Sequence, residues 1–202
     1  MSFRSRFKPW LQDLAMRQMD PLRADTIEKA QGDVLEIGFG TALNLQFYGS
    51  AVKSLVGLDP MDVANVEKVQ RRIQSAKFPI ERKALRADGV LPFDRARFDT
   101  VVTTWTLCSI PDVAKALREM RRVLKPGGQY LFIEHGRAED DGTARWQDRI
   151  NPIWNRVCDG CNINRKIDRL VLDGGFELER MDRFRAKGPG IVAQMYRGVA
   201  TR

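Results

Sequence analysis

No run in the sequence approaches the about 18 apolar residues that a membrane-spanning helix needs, so these 202 residues are not expected to cross a bilayer. There is no long Lys/Arg block and no nucleic-acid-binding motif, although the formal charge is +8, and nucleic acid is not an expected partner. Low-complexity tracts and internal repeats are also missing. The opening MSFRSRFKPW lacks the apolar stretch of a secretory signal, which makes a cytoplasmic setting with reduced thiols the expectation. Cysteine is limited to three residues and histidine to one. Cys158 and Cys161 form a lone C-D-G-C, but zinc wants four ligands and no second pair exists. Cys108 and His135 would have to complete a site from different strands, so no metal centre is expected. Buried or substrate-lining thiols, or a dithiol switch, are the alternatives.

What is present has the rhythm of one α/β domain of ordinary size. Residues 3–19 place Phe3, Phe7, Trp10, Leu11 and Leu14 on one helical face opposite arginines. This amphipathic segment, residues 1–31 in all, is expected to be a lid over the cleft. A peripheral membrane contact is the alternative. From Gly32 onward, strands alternate with helices. DVLEIG, VKSLVGLD, IERKALRAD, FDTVVTTWTL and QYLFIEH read as strands, and DVANVEKVQRRIQSA and VAKALREMRRVL as helices. KPGG supplies the Pro and Gly that follow a helix end. The tail reads as helical segments broken at Asn151-Pro152 and near Asp159-Gly160. FELERMDRF and GIVAQMYRGVATR then form a hairpin. The pattern implies a mostly parallel sheet covered on both faces.

The informative stretch is VLEIGFGTALNLQFYG, residues 34–49. Gly38 and Gly40 end the first strand, where open α/β sheets bind ligands. A dinucleotide site wants G-x-G-x-x-G/A, and Leu43 stands at the position of the last small residue. Ala42 gives E-x-G-x-G-x-A instead, which weakens a nicotinamide or flavin reading. Asp59 ends the second strand, where a carboxylate can accept from both ribose hydroxyls. ADGVLPF, FDTVV and LREMRRVLKPGGQYLFIEH follow in order.

This ordered set resembles the class I S-adenosylmethionine-dependent methyltransferases. The resemblance implies a Rossmann-like fold over residues 32–202, with a seven-stranded, mostly parallel sheet and an antiparallel C-terminal hairpin. It implies S-adenosylmethionine as cofactor, S-adenosylhomocysteine as product and a small-molecule acceptor. It places Gly38 and Gly40 along the methionine portion, Asp59 on the ribose, Asp88 at the adenine amino group, and Pro60 or Met61 against adenine. Glu36, Phe39, Asn44, Ala87, Gly89 and Thr104 complete the implied cofactor side. The third glycine common in the family is Ala42 here.

Within that class, GTALNLQFY, TLCSIPD, EHGRAE, NPIWNRVCDGCNINR and YRGVATR resemble the alkyl-thiol S-methyltransferases of mammals (the methyltransferase-like 7 group) and their bacterial relatives. Those mammalian enzymes carry a long apolar N-terminal anchor; here the N-terminus is short, basic and amphipathic. A thiol acceptor must ionise, since the thiolate is the nucleophile. His135 is the candidate base, and Asp159 a candidate for positioning substrate. Trp105, Cys108, Trp154 and Asn162 are the candidate lining of the acceptor side. Lipid-headgroup or quinone-type N, O or C methylation, and a non-catalytic cofactor-binding regulator, are the other functions the sequence allows.

Overall fold

The computed structural model describes residues 16–59, 67–86, 89–158, 160–188 and 190–202. Seven strands form a single sheet in the order β3-β2-β1-β4-β5-β7-β6. They are β1 (Gly32–Ile37), β2 (Val52–Asp59), β3 (Ile80–Ala84), β4 (Phe98–Thr104), β5 (Leu124–His135), β6 (Glu177–Arg185) and β7 (Gln194–Thr201). β1 to β5 pair in parallel. β7 pairs antiparallel with both β5 and β6. The expected fold, with its closing antiparallel hairpin, is the observed one.

Both faces of the sheet are dry, which is why the central strands are apolar almost without a break. Neighbouring residues diverge to opposite sides. Leu35, Val101 and Phe132 join one core with α3 (Val113–Val123) and α5 (Ile167–Asp173), including Leu117, Met120 and Val171. Val34, Val102 and Leu131 join the other, with Ile27, Leu45 and Val69. Those last three belong to α1 (Asp20–Ile27), a 3-10 turn (Leu43–Phe47) and α2 (Glu67–Gln74). The start of α3 was legible because Asp112 caps it, accepting from the Lys115 N–H at 2.9 Å.

Ile27 and Ala30, from the segment expected as a lid, are fully buried in the second core. Two element boundaries differ from expectation, at KPGG and at Pro152. KPGG does not separate α3 from β5. Phe98 pairs with Leu124 and Thr100 with Gln129, and the extra residues are absorbed by an irregularity within β5. Nor does Pro152 break its helix, because α4 runs unbroken over Asp141–Val157. Proline removes the bond to the carbonyl four residues back. Pro152 and Asp148 are both exposed, so water can serve the freed carbonyl. Of the expected N-terminal lid, residues 1–15 lie outside the described residues. Among the described residues no helix is long and apolar enough to cross a membrane.

Candidate active site

Strand order reverses between β1 and β4, and the loops leaving their carboxyl ends meet there. The turn after β1 permits close approach. Gly38 has φ +84°, and a Cβ on it would lie 2.0 Å from Thr106 Oγ1, so only glycine fits. Gly40, at φ +51°, is open instead: the atoms nearest a Cβ would be Asp59 Oδ2 and the Gly38 carbonyl oxygen, both at 3.9 Å. The Gly40 N–H donates to Asp59 Oδ2 at 2.7 Å, tying the end of β2 to the turn. Ala42 adopts φ +63°, a left-handed conformation that costs a residue with a Cβ about 1–2 kcal/mol. That explains why a glycine suits this position.

A buried polar network stands beside the turn. Asn44 Nδ2 donates to Glu36 Oε1 at 2.8 Å and to Thr104 Oγ1 at 3.1 Å. Tyr48 donates its hydroxyl to Glu36 Oε2 at 2.8 Å. Arg23, from α1, donates to Asn44 Oδ1 at 2.5 Å, and its guanidinium stacks 4.6 Å from the Trp105 ring centroid. Burial pushes the Glu36 carboxyl up to about 7, against the Tyr48 and Asn44 hydrogen bonds and the Arg23 charge, which pull it down. Trp105 itself has φ +50°, an outlier for a bulky residue, held by its N–H donating to Ile133 O at 2.8 Å. Arg23 was missed from sequence, although the signal existed. It stands four residues before Ile27 and seven before Ala30, on the apolar stripe of α1.

At the ends of β4 and β5 a second cluster assembles. The ligand atoms of Cys108, His135 and Cys161 all lie within 4.8 Å of one another. His135 Nε2 is 3.2 Å from Cys161 Sγ, which also accepts from Trp154 Nε1 at 3.3 Å. Buried Glu134 holds the loop after β4, accepting from the Thr106 N–H at 2.9 Å. Arg165 donates to Leu107 O, and to Ile110 O at 2.9 Å. Ile163 shares this cluster's core, and Cys158, Ile191 and Val192 pack against it.

Several assignments move. Phe39 is buried beneath β2, and a Cβ on Gly57 would sit 2.6 Å from its ring, so the side chain belongs to the core and only the backbone is placed for a ligand. Asn162 is not free for substrate. Its Nδ2 donates to Cys108 O at 3.0 Å and Gly160 O at 2.9 Å, and its Oδ1 accepts from Asn151 at 3.1 Å and Asn155 at 3.3 Å. It fastens the C-D-G-C-N turn to the loop after β4. His135 Nε2 faces the Cys161 thiol at 3.2 Å. The premise that Cys108 and His135 are kept apart by lying on different strands fails, because β4 and β5 are paired neighbours. Gly89, at φ +69°, has nothing within 4 Å of a would-be Cβ. Pro60, Met61, Ala87, Asp88 and Asp159 lie outside the described residues.

A methyltransferase-domain model matches residues 35–132. The human thiol S-methyltransferase TMT1B is 35% identical over 162 residues, covering 74% of this chain and 62% of that protein. Human thiol S-methyltransferase TMT1A is 32% identical over 164 residues, covering 76% and 63%. The chain therefore spans less than two thirds of the length of either relative. Residues 35–132 therefore carry a methyltransferase domain, and the chain is similar to thiol S-methyltransferases over about three quarters of its length. In fold it is similar to an S-adenosylmethionine-dependent methyltransferase from Methanosarcina mazei, with TM-score 0.67, 19% identity, and 90% and 97% of the two chains covered.

The methyltransferase cofactor, S-adenosylmethionine, fits the residues present. The open face of Gly40, bounded by the Asp59 carboxylate and the Gly38 carbonyl, is a cradle that any side chain would fill. Asp59 would hold ribose hydroxyls, and the glycine backbone would lie along the methionine portion. The Glu36, Asn44, Thr104 and Arg23 network holds both charge signs beside the turn, matched to a zwitterionic amino-acid end.

Proposed function

We propose that this methyltransferase acts on the sulfur of a small thiol. When bound, S-adenosylmethionine supplies a methyl group already activated on a sulfonium sulfur and leaves as S-adenosylhomocysteine. The protein's share is alignment and exclusion of water, which can contribute about 7–11 kcal/mol. Asp59 and the Gly38–Gly40 backbone fix the donor side. Glu134 and Arg165 brace the loop from Trp105 to Ile110, which carries the acceptor side. The acceptor's S–H proton must leave before its sulfur attacks.

The observation that carries the thiol reading is the character of that acceptor side. Cys108, Cys161 and Ile163 form a buried apolar cluster beside that loop, and partly buried Trp154, Ile191 and Val192 pack against it as a soft wall. Such a wall suits a polarizable sulfur better than a charged amine. The relatedness to two thiol S-methyltransferases supports the same reading. Transfer of labelled methyl from S-adenosylmethionine to a panel of thiols, amines, phenols and ethanolamine lipids tests it. Thiols are expected to carry the label. Labelled amines, phenols or lipids with no labelled thiol would overturn the thiol reading and leave the family standing. Tight cofactor binding with no labelled product in any class would mark a non-catalytic binding protein.

A further inference from the structure

The chain has three cysteines and one histidine, and two of those cysteines and the histidine converge on one point. They arrive from three separate places: the loop after β4, the last residue of β5 and the turn after α4. Buried cysteines often serve merely as small apolar side chains. That accounts for Cys108 or Cys161 alone but gives no reason for an imidazole between them. His135 Nδ1 is buried with no hydrogen-bond partner among the described residues, and Nε2 is the nitrogen turned toward Cys161 Sγ at 3.2 Å.

We propose that Cys108, His135 and Cys161 form a binding site for a thiophilic divalent cation, zinc by its ligand chemistry. Two sulfurs and one imidazole nitrogen make up a donor set that zinc uses when a fourth position stays open to water or an exogenous ligand. Bond lengths of about 2.3 Å to sulfur and about 2.0 Å to nitrogen put tetrahedral ligand atoms about 3.5–3.8 Å apart. The observed 3.2 Å from His135 Nε2 to Cys161 Sγ, and the 4.8 Å limit on the whole set, bracket that spacing. Small rotamer adjustments suffice. No carboxylate belongs to the set, which disfavours calcium or magnesium.

Charge and protons balance simply. Without a cation, the neighbouring Cys108 side chain and burial push the Cys161 thiol up. Binding forms two metal–thiolate bonds and one metal–imidazole bond, and releases the two thiol protons to solvent. Cys108 and Cys161 also belong to the cluster read above as the acceptor side, but metal binding is measured without any acceptor, so its failure is distinct from failure of the thiol reading.

The test uses the full chain, purified under reductant and stripped with a chelator. Zinc is titrated in competition with a chromophoric chelator, and cobalt(II) is added separately as a spectroscopic stand-in. One equivalent of zinc is expected to bind. The cobalt protein is expected to show thiolate-to-metal charge-transfer absorption. Cys161→Ser should weaken zinc binding by more than the roughly 10–100-fold that loss of an outer-shell partner costs. Cys158→Ser, outside the cluster, should leave stoichiometry and affinity unchanged. Native protein that binds no zinc would overturn the proposal even if the variants fail to fold. A native cobalt spectrum without thiolate absorption would overturn it too. So would zinc binding that survives Cys161→Ser but is lost in Cys158→Ser, or a Cys108–Cys161 disulfide that reforms in air with zinc present.

Discussion

Asp59→Ala is expected to weaken S-adenosylmethionine binding at least tenfold. The substitution removes a carboxylate that fits the ribose hydroxyls, and charge-assisted bonds of this kind contribute roughly 1.5–3 kcal/mol. It also removes the acceptor for the Gly40 N–H, the bond that ties β2 to the turn at 2.7 Å. Both losses fall on the cofactor side, while the loop from Trp105 to Ile110 keeps its own braces, Glu134 and Arg165. Calorimetric titration of variant and native protein should therefore show weakened cofactor binding with little change in melting temperature. Equal affinity in both would place the ribose elsewhere.

The second large effect is a pH dependence of stability centred on Glu36. Its carboxyl titrates near 4.5 in an unfolded chain, and burial pushes it up to about 7 in the fold. Between those values the folded protein holds a proton that the unfolded chain has released. Stability therefore declines as pH rises from about 4.5 to about 7. At about 1.4 kcal/mol per pH unit the full change is about 3 kcal/mol. Glu36→Gln removes the ionisation while keeping shape and hydrogen-bonding capacity toward Asn44 and Tyr48. Urea unfolding across this window should show native stability falling relative to the variant as pH rises. Parallel curves would mean that Arg23 already keeps Glu36 ionised throughout.

Much of this was legible locally. β2 was read over its observed residues because its apolar run ends in a carboxylate. The start of α3 was legible because Asp112, just ahead of its apolar run, is a residue type that caps helices, as it does here. That Gly38, Gly40 and Asp59 meet was legible because they lie at fixed offsets from strand ends, and the Gly40 N–H bonds Asp59. What escaped depends on contacts between distant segments. Arg23 reaches Asn44 and Trp105 only because α1 packs against the 3-10 turn and β5. Asn162 is consumed by bonds to Cys108 and to the turn around it, which no local pattern encodes. The Cys108, His135 and Cys161 cluster required knowing that β4 and β5 are neighbours. Pro152 misled because its helix-breaking cost is small where water can reach the freed carbonyl.

The central claim is that the turn after β1 holds S-adenosylmethionine and not a dinucleotide. Titrating the native protein with S-adenosylmethionine, S-adenosylhomocysteine and NAD in a calorimeter tests it most directly. One equivalent of each adenosyl ligand is expected to bind, with at least tenfold loss in Asp59→Ala and no measurable heat from NAD. Tight NAD binding, or no heat from S-adenosylmethionine, would contradict it.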